Sequence, residues 1–232
     1  MVVLTLKSLE KAIFVERLNR FLGKVNLKGK QVEVHIHDPG RLKELLYMGN
    51  EVFIKRVEKS LRKTCFDLIA ARKGEEYVFV HSGYHNKIVR KLLDLRLLPL
   101  NMYGEVKAEV THGKSRMDFT VEDEEGNKTW IEVKGCTLSR DGKALFPDAP
   151  TKRGRKHLEE LMELKEKGDE TLLLILVFTR SACFAPNSSV DPEFTSTFWK
   201  AVRKGIKVLP LAFSFRNGDL IYKGRMPLCM KR

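Results

Sequence analysis

The sequence predicts an α/β protein, α+β overall, in which a small β-barrel is followed by a mixed sheet with helices. Residues 10–82 read as short strands separated by polar turns that contain glycine. From residue 86 onward, helical and strand patterns alternate, an order typical of α/β domains. The chain of 232 residues is long enough for two domains, which we expect at residues 1–82 and 83–232.

Five strands are expected in the first domain, at residues 12–21, 31–36, 51–56, 64–71 and 77–81. Residues 23–30 look like a turn because they contain glycine and polar residues. Asp38 is a suitable N-cap with Pro39 at the first helical position, which predicts a short helix at residues 41–47. Five short strands and one helix fit a small barrel, and an OB-like fold is the leading candidate.

The second domain begins with the predicted order helix, three strands, helix and strand. Its helices are expected at residues 86–97, 153–167 and 193–204, and its strands at residues 104–110, 115–121, 128–134, 172–179 and 207–213. Residues 172–178 form a continuous apolar run, which suits a buried strand and is far too short to span a bilayer. The initial order is also the core order of restriction-endonuclease-like α/β domains.

Two carboxylates and a lysine occupy matching positions on a predicted strand pair. Apolar and polar residues alternate in residues 115–121, and Glu132 and Lys134 share one face of the next strand. A hairpin would bring Asp118 and Glu132 to one rim, where two carboxylates can hold a hard divalent cation such as Mg²⁺. The lysine can orient water or offset charge on a phosphoryl oxygen. The other interpretation is a solvent-exposed hairpin face with ordinary salt bridges.

The chain is strongly basic. Its 43 Lys and Arg residues exceed its 30 Asp and Glu residues, for a formal net charge of +13. Such a balance favours a polyanionic partner, and nucleic acid is the first candidate. The alternative is a soluble, highly charged protein without such a partner.

The four cysteines, Cys65, Cys136, Cys183 and Cys229, show no CxxC or paired spacing. This pattern favours reduced thiols in an intracellular protein over a disulfide framework or a zinc site. No signal-peptide pattern is found at the N-terminus, since charged residues follow residues 1–6 directly. We therefore expect a cytoplasmic protein without a membrane partner.

Seven residues are predicted to contact a nucleic acid: Arg41, Arg62, Lys63, Arg116, Arg153, Lys156 and His157. The last three begin a predicted helix and are expected on its outer face. A helix N-terminus presents free backbone N–H groups and a partial positive charge, which favour phosphate. The alternative is a solvated helix whose cations pair with Glu159, Glu160 and Glu163.

Two histidines, His35 and His37, lie two residues apart beside Asp38. Their spacing on one strand face suggests a zinc site, but no third ligand can be placed nearby from the sequence. The preferred interpretation is a turn that shapes the barrel and presents Arg41 to a phosphate.

Several motifs occur in order along the chain: HIHDPGRL (35–42), RKT (62–64), GKSRMDF (113–119), EVKGCTL (132–138), FPDA (146–149), TKRGRKHL (151–158) and DP (191–192). With these motifs the chain resembles the SfsA family (sugar fermentation stimulation protein) from about residue 10 to residue 215. The resemblance implies an N-terminal OB-like domain and a C-terminal domain similar to PD-(D/E)xK nucleases. It also implies non-sequence-specific DNA binding and, in bacteria, regulation of maltose utilisation.

The resemblance implies that Asp118, Glu132 and Lys134 form a nuclease site that uses Mg²⁺ or Mn²⁺. The chain differs from the family in having Gly135 where serine is frequent and Arg90 where a helix often carries glutamate. Glu109 could replace that glutamate as a metal ligand. The alternative is a catalytically silent DNA-binding protein that regulates sugar (maltose) utilisation. The oligomeric state stays open, a homodimer included.

Overall fold

The computed structural model describes residues 1–58, 64–98, 104–113 and 115–229. The strands are β1 (Val2–Thr5), β2 (Leu9–Asn19), β3 (Leu22–Leu27), β4 (Lys30–His35), β5 (Glu51–Arg56), β6 (Phe66–Lys73), β7 (Glu76–Phe79), β8 (Glu105–His112), β9 (Ser115–Glu122), β10 (Lys128–Cys136), β11 (Ser139–Arg140), β12 (Lys143–Phe146), β13 (Glu170–Val177), β14 (Cys183–Pro186), β15 (Lys207–Arg216) and β16 (Asp219–Arg225). The helices are α1 (His85–Asp94), α2 (Lys152–Glu166) and α3 (Pro192–Arg203), and a 3₁₀ turn at Ser82–Tyr84 precedes α1.

Five strands of the described chain close a barrel. β2 pairs antiparallel with β3 and β5, while β4 pairs with β3 and β6 pairs with β5. A parallel bridge between His35 at the end of β4 and Asp67 in β6 closes the ring. The fully buried Val25, Ile54 and Leu68 belong to the core of this half. The predicted OB-like barrel is confirmed.

A mixed sheet forms the second half. β13 pairs in parallel with β10 on one side and with β15 on the other. β9 and β8 extend this sheet antiparallel from β10, and β16 and β1 extend it from β15. Strand β7 pairs with β6 of the barrel, and one antiparallel pair, Tyr77 with Phe215, joins β7 to β15. In the part of the chain that the structure describes, thirteen strands thus form one continuous sheet.

The central strand β13 is buried on both faces, which explains its continuous apolar run. On β10, Ile131 and Val133 belong to a core shared with the barrel. Trp130, on the opposite face, belongs to a second core with residues of α2 and α3, such as Leu161 and Phe198. The alternation predicted for this strand is confirmed.

The helix predicted at residues 41–47 was wrong. Oδ1 of Asp38 accepts a hydrogen bond from the N–H of Gly40 at 2.7 Å, which makes a local turn rather than a helix cap. Leu42 has a φ of 50°, in the left-handed region that interrupts a right-handed helix. The segment forms turns, and the side chains of Leu42 and Leu45 in it are fully buried.

The turn predicted at residues 23–30 was wrong for residues 23–27, which belong to β3. Gly23 lies within that strand, where a Cβ atom would come within 3.1 Å of Ile36 and Phe14. Its small size serves packing. The chain turns later, where Lys28 and Gly29 have φ values of 52° and 87°.

The expectation of reduced thiols was wrong for two of the four cysteines. Cys183 and Cys229 form a disulfide with Cα atoms 5.0 Å apart, whereas Cys65 and Cys136 are free. The paired residues are 46 positions apart, so no local motif in the sequence predicts the disulfide. The bond connects β14 to the segment that follows β16.

Among the described helices, none is long and apolar enough to cross a membrane.

Candidate active site

A cleft of about 700 Å³ brings the three predicted catalytic residues together. Asp118 lies on β9, and Glu132 and Lys134 lie on β10. The remaining lining comes from the barrel, the 3₁₀ turn, the start of α1, strands β10 and β12, the loop before α2 and the first turn of α2. It includes Arg20, His37, Asp38, Ser82, His85, Asp148, Thr151 and Arg153. The site therefore lies where the barrel meets the mixed sheet.

Asp118 is held where the β9–β10 ladder ends. The last paired residues are Phe119 and Ile131, and beyond them Oδ2 of Asp118 accepts a hydrogen bond from the N–H of Val133 at 2.7 Å. Burial and the nearby Glu132 raise the pKa of Asp118 to about 6, although the Val133 N–H and Lys134 oppose the shift. The carboxylate is thus costly to ionise without a cation beside it.

Glu132 is the most constrained residue of the site, with 1% of its surface exposed. Its Oε1 accepts from Nζ of Lys134 and from Nδ1 of His157. Burial pushes the pKa of Glu132 upward, but Lys134 and His157 outweigh burial and bring the pKa below its ordinary value. Its Oε2 is buried and has no hydrogen-bond partner among the described residues. The structure therefore holds an ionised carboxylate with one unsatisfied oxygen.

His157 supports Glu132 from α2. Nε of Arg153 donates to Nε2 of His157 at 3.2 Å, so Nδ1 carries the proton that is donated to Glu132. The expectation that His157 faces outward was wrong, since only 4% of it is exposed. Its spacing from the buried Gly154 and Leu161, three and four residues away, was the signal that places it on the inner face.

The other residues predicted on α2 behave differently. Arg153 is exposed and lines the cleft, as its predicted role in phosphate contact requires. Lys156 is also exposed, and its Nζ lies 3.5 Å from Oε1 of Glu160. Thr151 caps the helix by accepting from the N–H of Gly154 at 2.9 Å. The first turn of α2 therefore faces the cleft.

The predicted metal ligand Glu109 lies on β8 outside the cleft lining. Its exposed carboxylate pairs with Arg116 at 3.3 Å. The two side chains therefore form a surface ion pair. Arg41 is exposed in the turn that replaces the predicted helix, again outside the lining. Arg62 and Lys63 lie outside the described residues.

Two cleft residues escaped the sequence reasoning. Arg20 precedes β3 on the barrel side and is exposed. His85 begins α1, and its ring lies against Gly135. Burial and the charges of His81 and Lys134 lower the pKa of His85 to about 3, so its ring is neutral at physiological pH. The only signal for His85 in the sequence was Gly135, because a glycine in a strand can mark the close approach of another group.

Hydrogen bonds from two sides hold the turn after β4, which forms the barrel wall of the cleft. Nη1 of Arg17 donates to the carbonyls of Gly40 and Arg41 at 2.6 and 2.7 Å. From the opposite side, Oδ2 of Asp148 accepts from the N–H of Leu42 at 3.2 Å. The turn after β4 is therefore bonded both to the barrel and to the loop before α2.

Two family models match the chain. The model described as "SfsA N-terminal OB domain" matches residues 15–80. The model described as "Sugar fermentation stimulation protein RE domain" matches residues 83–219. Together they cover both halves of the structure.

Curated relatives and a solved structure agree with these matches. A sugar fermentation stimulation protein homolog of Thermosipho melanesiensis is 46% identical over 226 residues, which are 97% of each chain. The homolog of Sulfurisphaera tokodaii is 45% identical over 230 residues, 99% of this chain and 94% of that one. The structure of Pyrococcus furiosus SfsA in complex with Ca²⁺ superimposes with a TM-score of 0.91 at 25% identity and covers 99% of this chain and 100% of that one.

Proposed function

The chain belongs to the SfsA (sugar fermentation stimulation protein) family, and we propose that it is a divalent-metal-dependent nuclease without sequence specificity. The substrate class is nucleic acid, with DNA the first candidate. Asp118, Glu132 and Lys134 are the proposed catalytic residues.

The unsatisfied Oε2 of Glu132 is the observation that carries this proposal. A buried carboxylate oxygen without a partner costs free energy, and a bound cation removes that cost. Asp118 lines the same cleft with a raised pKa, so it too gains from a cation. Oxygen ligands of this kind suit Mg²⁺ and Mn²⁺. The residues present therefore fit such an ion.

Each residue of the site has a distinct part in the proposed reaction. Asp118 and Glu132 would hold the cation, which supplies Lewis acidity and offsets charge on a phosphoryl oxygen. The ammonium of Lys134, fixed against Glu132, can orient a water molecule or stabilise developing negative charge. His157 keeps Glu132 in place, and Arg153 presents a cation at the first turn of α2.

Nucleic acid is the substrate class that the charge distribution favours. The formal net charge is +13, and Arg20 and Arg153 both line the cleft. Contacts to phosphate fix a backbone without reading its bases, so little sequence preference is expected. The Ca²⁺ complex of the Pyrococcus furiosus relative supports a cation site in this family.

The decisive experiment is a cleavage assay on labelled single-stranded DNA, duplex DNA, RNA and RNA–DNA hybrid. Each substrate is incubated with Mg²⁺, Mn²⁺ or a chelator, and binding is measured in parallel by fluorescence anisotropy. Glu132→Gln removes the charge of the ligand with little change in size. Glu109→Gln, an exposed acid on β8, is the matched control.

The proposal predicts cleavage by the wild-type protein and by Glu109→Gln, only with a metal ion, and its loss in Glu132→Gln with most affinity retained. Equal cleavage by Glu132→Gln would mark a contaminating enzyme and overturn the proposal. Binding without cleavage under all conditions would favour the second candidate, a catalytically silent DNA-binding protein that acts in sugar utilisation. That candidate rests on the basic charge and on the name of the relatives.

A further inference from the structure

Three side chains able to bind metal meet where the barrel passes into α1. His37 follows β4, Asp67 lies in β6, and His81 lies between β7 and the 3₁₀ turn. Nε2 of His37 is 3.2 Å from Oδ1 of Asp67, and Nε2 of His81 is 3.5 Å from Oδ2. Each residue offers one ligand atom, and the three atoms lie within 4.8 Å of one another.

The separations in this cluster differ from those of strong hydrogen bonds. Hydrogen bonds to a carboxylate are usually about 2.7–2.9 Å long, and Nε2 of His37 is buried without a hydrogen-bond partner among the described residues. Ligand atoms bound at about 2.0–2.1 Å to one tetrahedral ion are roughly 3.3 Å apart. The observed 3.2 and 3.5 Å run to different oxygens of Asp67, so both nitrogens lie beside the same carboxylate at about the separation of two ligand atoms.

We propose that His37, Asp67 and His81 bind one first-row transition-metal ion, for which Zn²⁺ is the representative. Two imidazole nitrogens and one carboxylate suit Zn²⁺, Co²⁺ or Fe²⁺, whereas Mg²⁺ and Ca²⁺ prefer ligand sets made of oxygen. A carboxylate has about four lone-pair positions, so a further interaction of Asp67 is compatible with binding the ion.

The surroundings of the cluster support metal binding. Asp67 and His81 are 7% and 5% exposed, so these two side chains would shield a bound ion from bulk water. The rings of His37 and His81 stack with centroids 3.7 Å apart, so the two imidazoles lie side by side next to Asp67.

Such an ion would join three parts of the chain at the barrel side of the cleft. His37 and Ser82 both line the cleft, and Oγ of Ser82 already donates to the carbonyl of His37 at 2.6 Å. The metal would add a stronger connection between the end of β4, strand β6 and the approach to α1. Its role would be to stiffen this wall, separately from the proposed cation at Asp118 and Glu132.

The test uses full-length protein freed of metal with a chelator and then titrated with Co²⁺ and with Zn²⁺. Visible absorption of Co²⁺ reports nitrogen coordination, and calorimetry gives the Zn²⁺ stoichiometry and affinity. We expect one ion per chain with the Co²⁺ spectrum of nitrogen coordination, whatever binds in addition at Asp118 and Glu132. His37→Gln and His81→Gln should each weaken binding by more than the roughly 10–100-fold that loss of a supporting group costs.

Two controls separate this site from its surroundings. His35→Gln removes a neighbouring ring, 4.3 Å from that of His37, that is outside the proposed ligand set. Glu132→Gln disables the proposed catalytic site. His35→Gln should bind Zn²⁺ like the wild type, and Glu132→Gln should keep the Co²⁺ spectrum of nitrogen coordination. This proposal can therefore stand if the nuclease proposal fails.

Absence of a stoichiometric Co²⁺ spectrum in the wild-type protein would overturn the proposal. So would unchanged Zn²⁺ affinity in both His37→Gln and His81→Gln, or loss of the Co²⁺ spectrum of nitrogen coordination in Glu132→Gln. If the buried His81 variant fails to fold, His37→Gln decides, because the His37 side chain is 25% exposed and more tolerant of change. A rise in the wild-type melting temperature with Zn²⁺ provides an independent readout.

Discussion

The ring of His85 occupies the space into which a side chain at position 135 would extend. A Cβ atom built on Gly135 would overlap the imidazole, with all of its nearest atoms belonging to that ring. His85 also stacks against Phe178, with ring centroids 5.5 Å apart, so it has little room to move away. The glycine after Lys134 and the histidine at the start of α1 therefore form a complementary pair.

This pairing predicts that Gly135→Ala destabilises the protein by about 1–3 kcal/mol through overpacking. His85→Ala in the same background should recover much of that loss, because it vacates the overlapping space. Urea unfolding of the two single variants and the double variant gives the coupling free energy. A Gly135→Ala protein as stable as the wild type would contradict the pairing.

His85 should also make stability depend on pH. Its pKa in the folded protein is about 3, below the ordinary value of 6.5, so between these values the unfolded chain binds more protons. The contribution of His85 to the free energy of unfolding therefore falls as pH drops below about 6.5, by roughly 2 kcal/mol at pH 5. His85→Gln should flatten this dependence in urea titrations of metal-free protein.

The matched control for that measurement is His112→Gln, which removes a histidine from β8 outside the cleft lining. This variant should keep the wild-type dependence on pH. If His85→Gln and the wild type lost stability in parallel below pH 6.5, the charge of His85 would not be the cause.

His157 should act as a positioning residue for Glu132. His157→Phe keeps a ring but removes the donor to Oε1, so Glu132 loses one of its two supports. We expect a roughly 10–100-fold loss of Mn²⁺ affinity, measured by calorimetry, and a similar loss of any metal-dependent cleavage. His157→Gln, which retains an N–H donor, should restore part of the affinity.

Lys156→Gln is the control for His157, because the neighbouring side chain is exposed on the same helix. It should leave Mn²⁺ affinity unchanged. A purely structural role of His157 would lower stability while preserving Mn²⁺ affinity in the folded fraction, and that result would contradict positioning.

Arg20 is expected to contribute a phosphate contact from the barrel side of the cleft. Arg20→Gln should weaken DNA binding and reduce the slope of log affinity against log salt concentration by about 1. Fluorescence anisotropy at several salt concentrations measures both quantities. Lys28→Gln, an exposed residue paired with Glu10 in the turn after β3, should leave the slope unchanged. Equal slopes for all three proteins would exclude this contact.

The parts of the fold predicted best from the sequence are those with clean periodicity. Strand β5 was predicted with the bounds that it has, and alternation around Asp118 and Glu132 predicted the pair that carries the site. Conformations set by single residues were missed. The left-handed φ of Leu42 and the packing role of Gly23 depend on neighbours distant in sequence.

Relations between distant residues were equally invisible in the sequence. The zinc hypothesis at His35 and His37 lacked a third ligand, because Asp67 and His81 approach His37 only when the barrel closes. His157 reaches Glu132 from a separate helix for the same reason. The domain boundary at residue 82 and the roles of the predicted site residues remain predictions.

The single pair between Tyr77 and Phe215 makes β7 and β15 neighbours in one sheet. In addition, β1, at the start of the chain, pairs with β16 near its end. Cutting the chain between the two matched halves would therefore uncover strand edges on both pieces and leave β1 without its partner. Exposed edges invite pairing between molecules, so each half is protected from aggregation by the presence of the other.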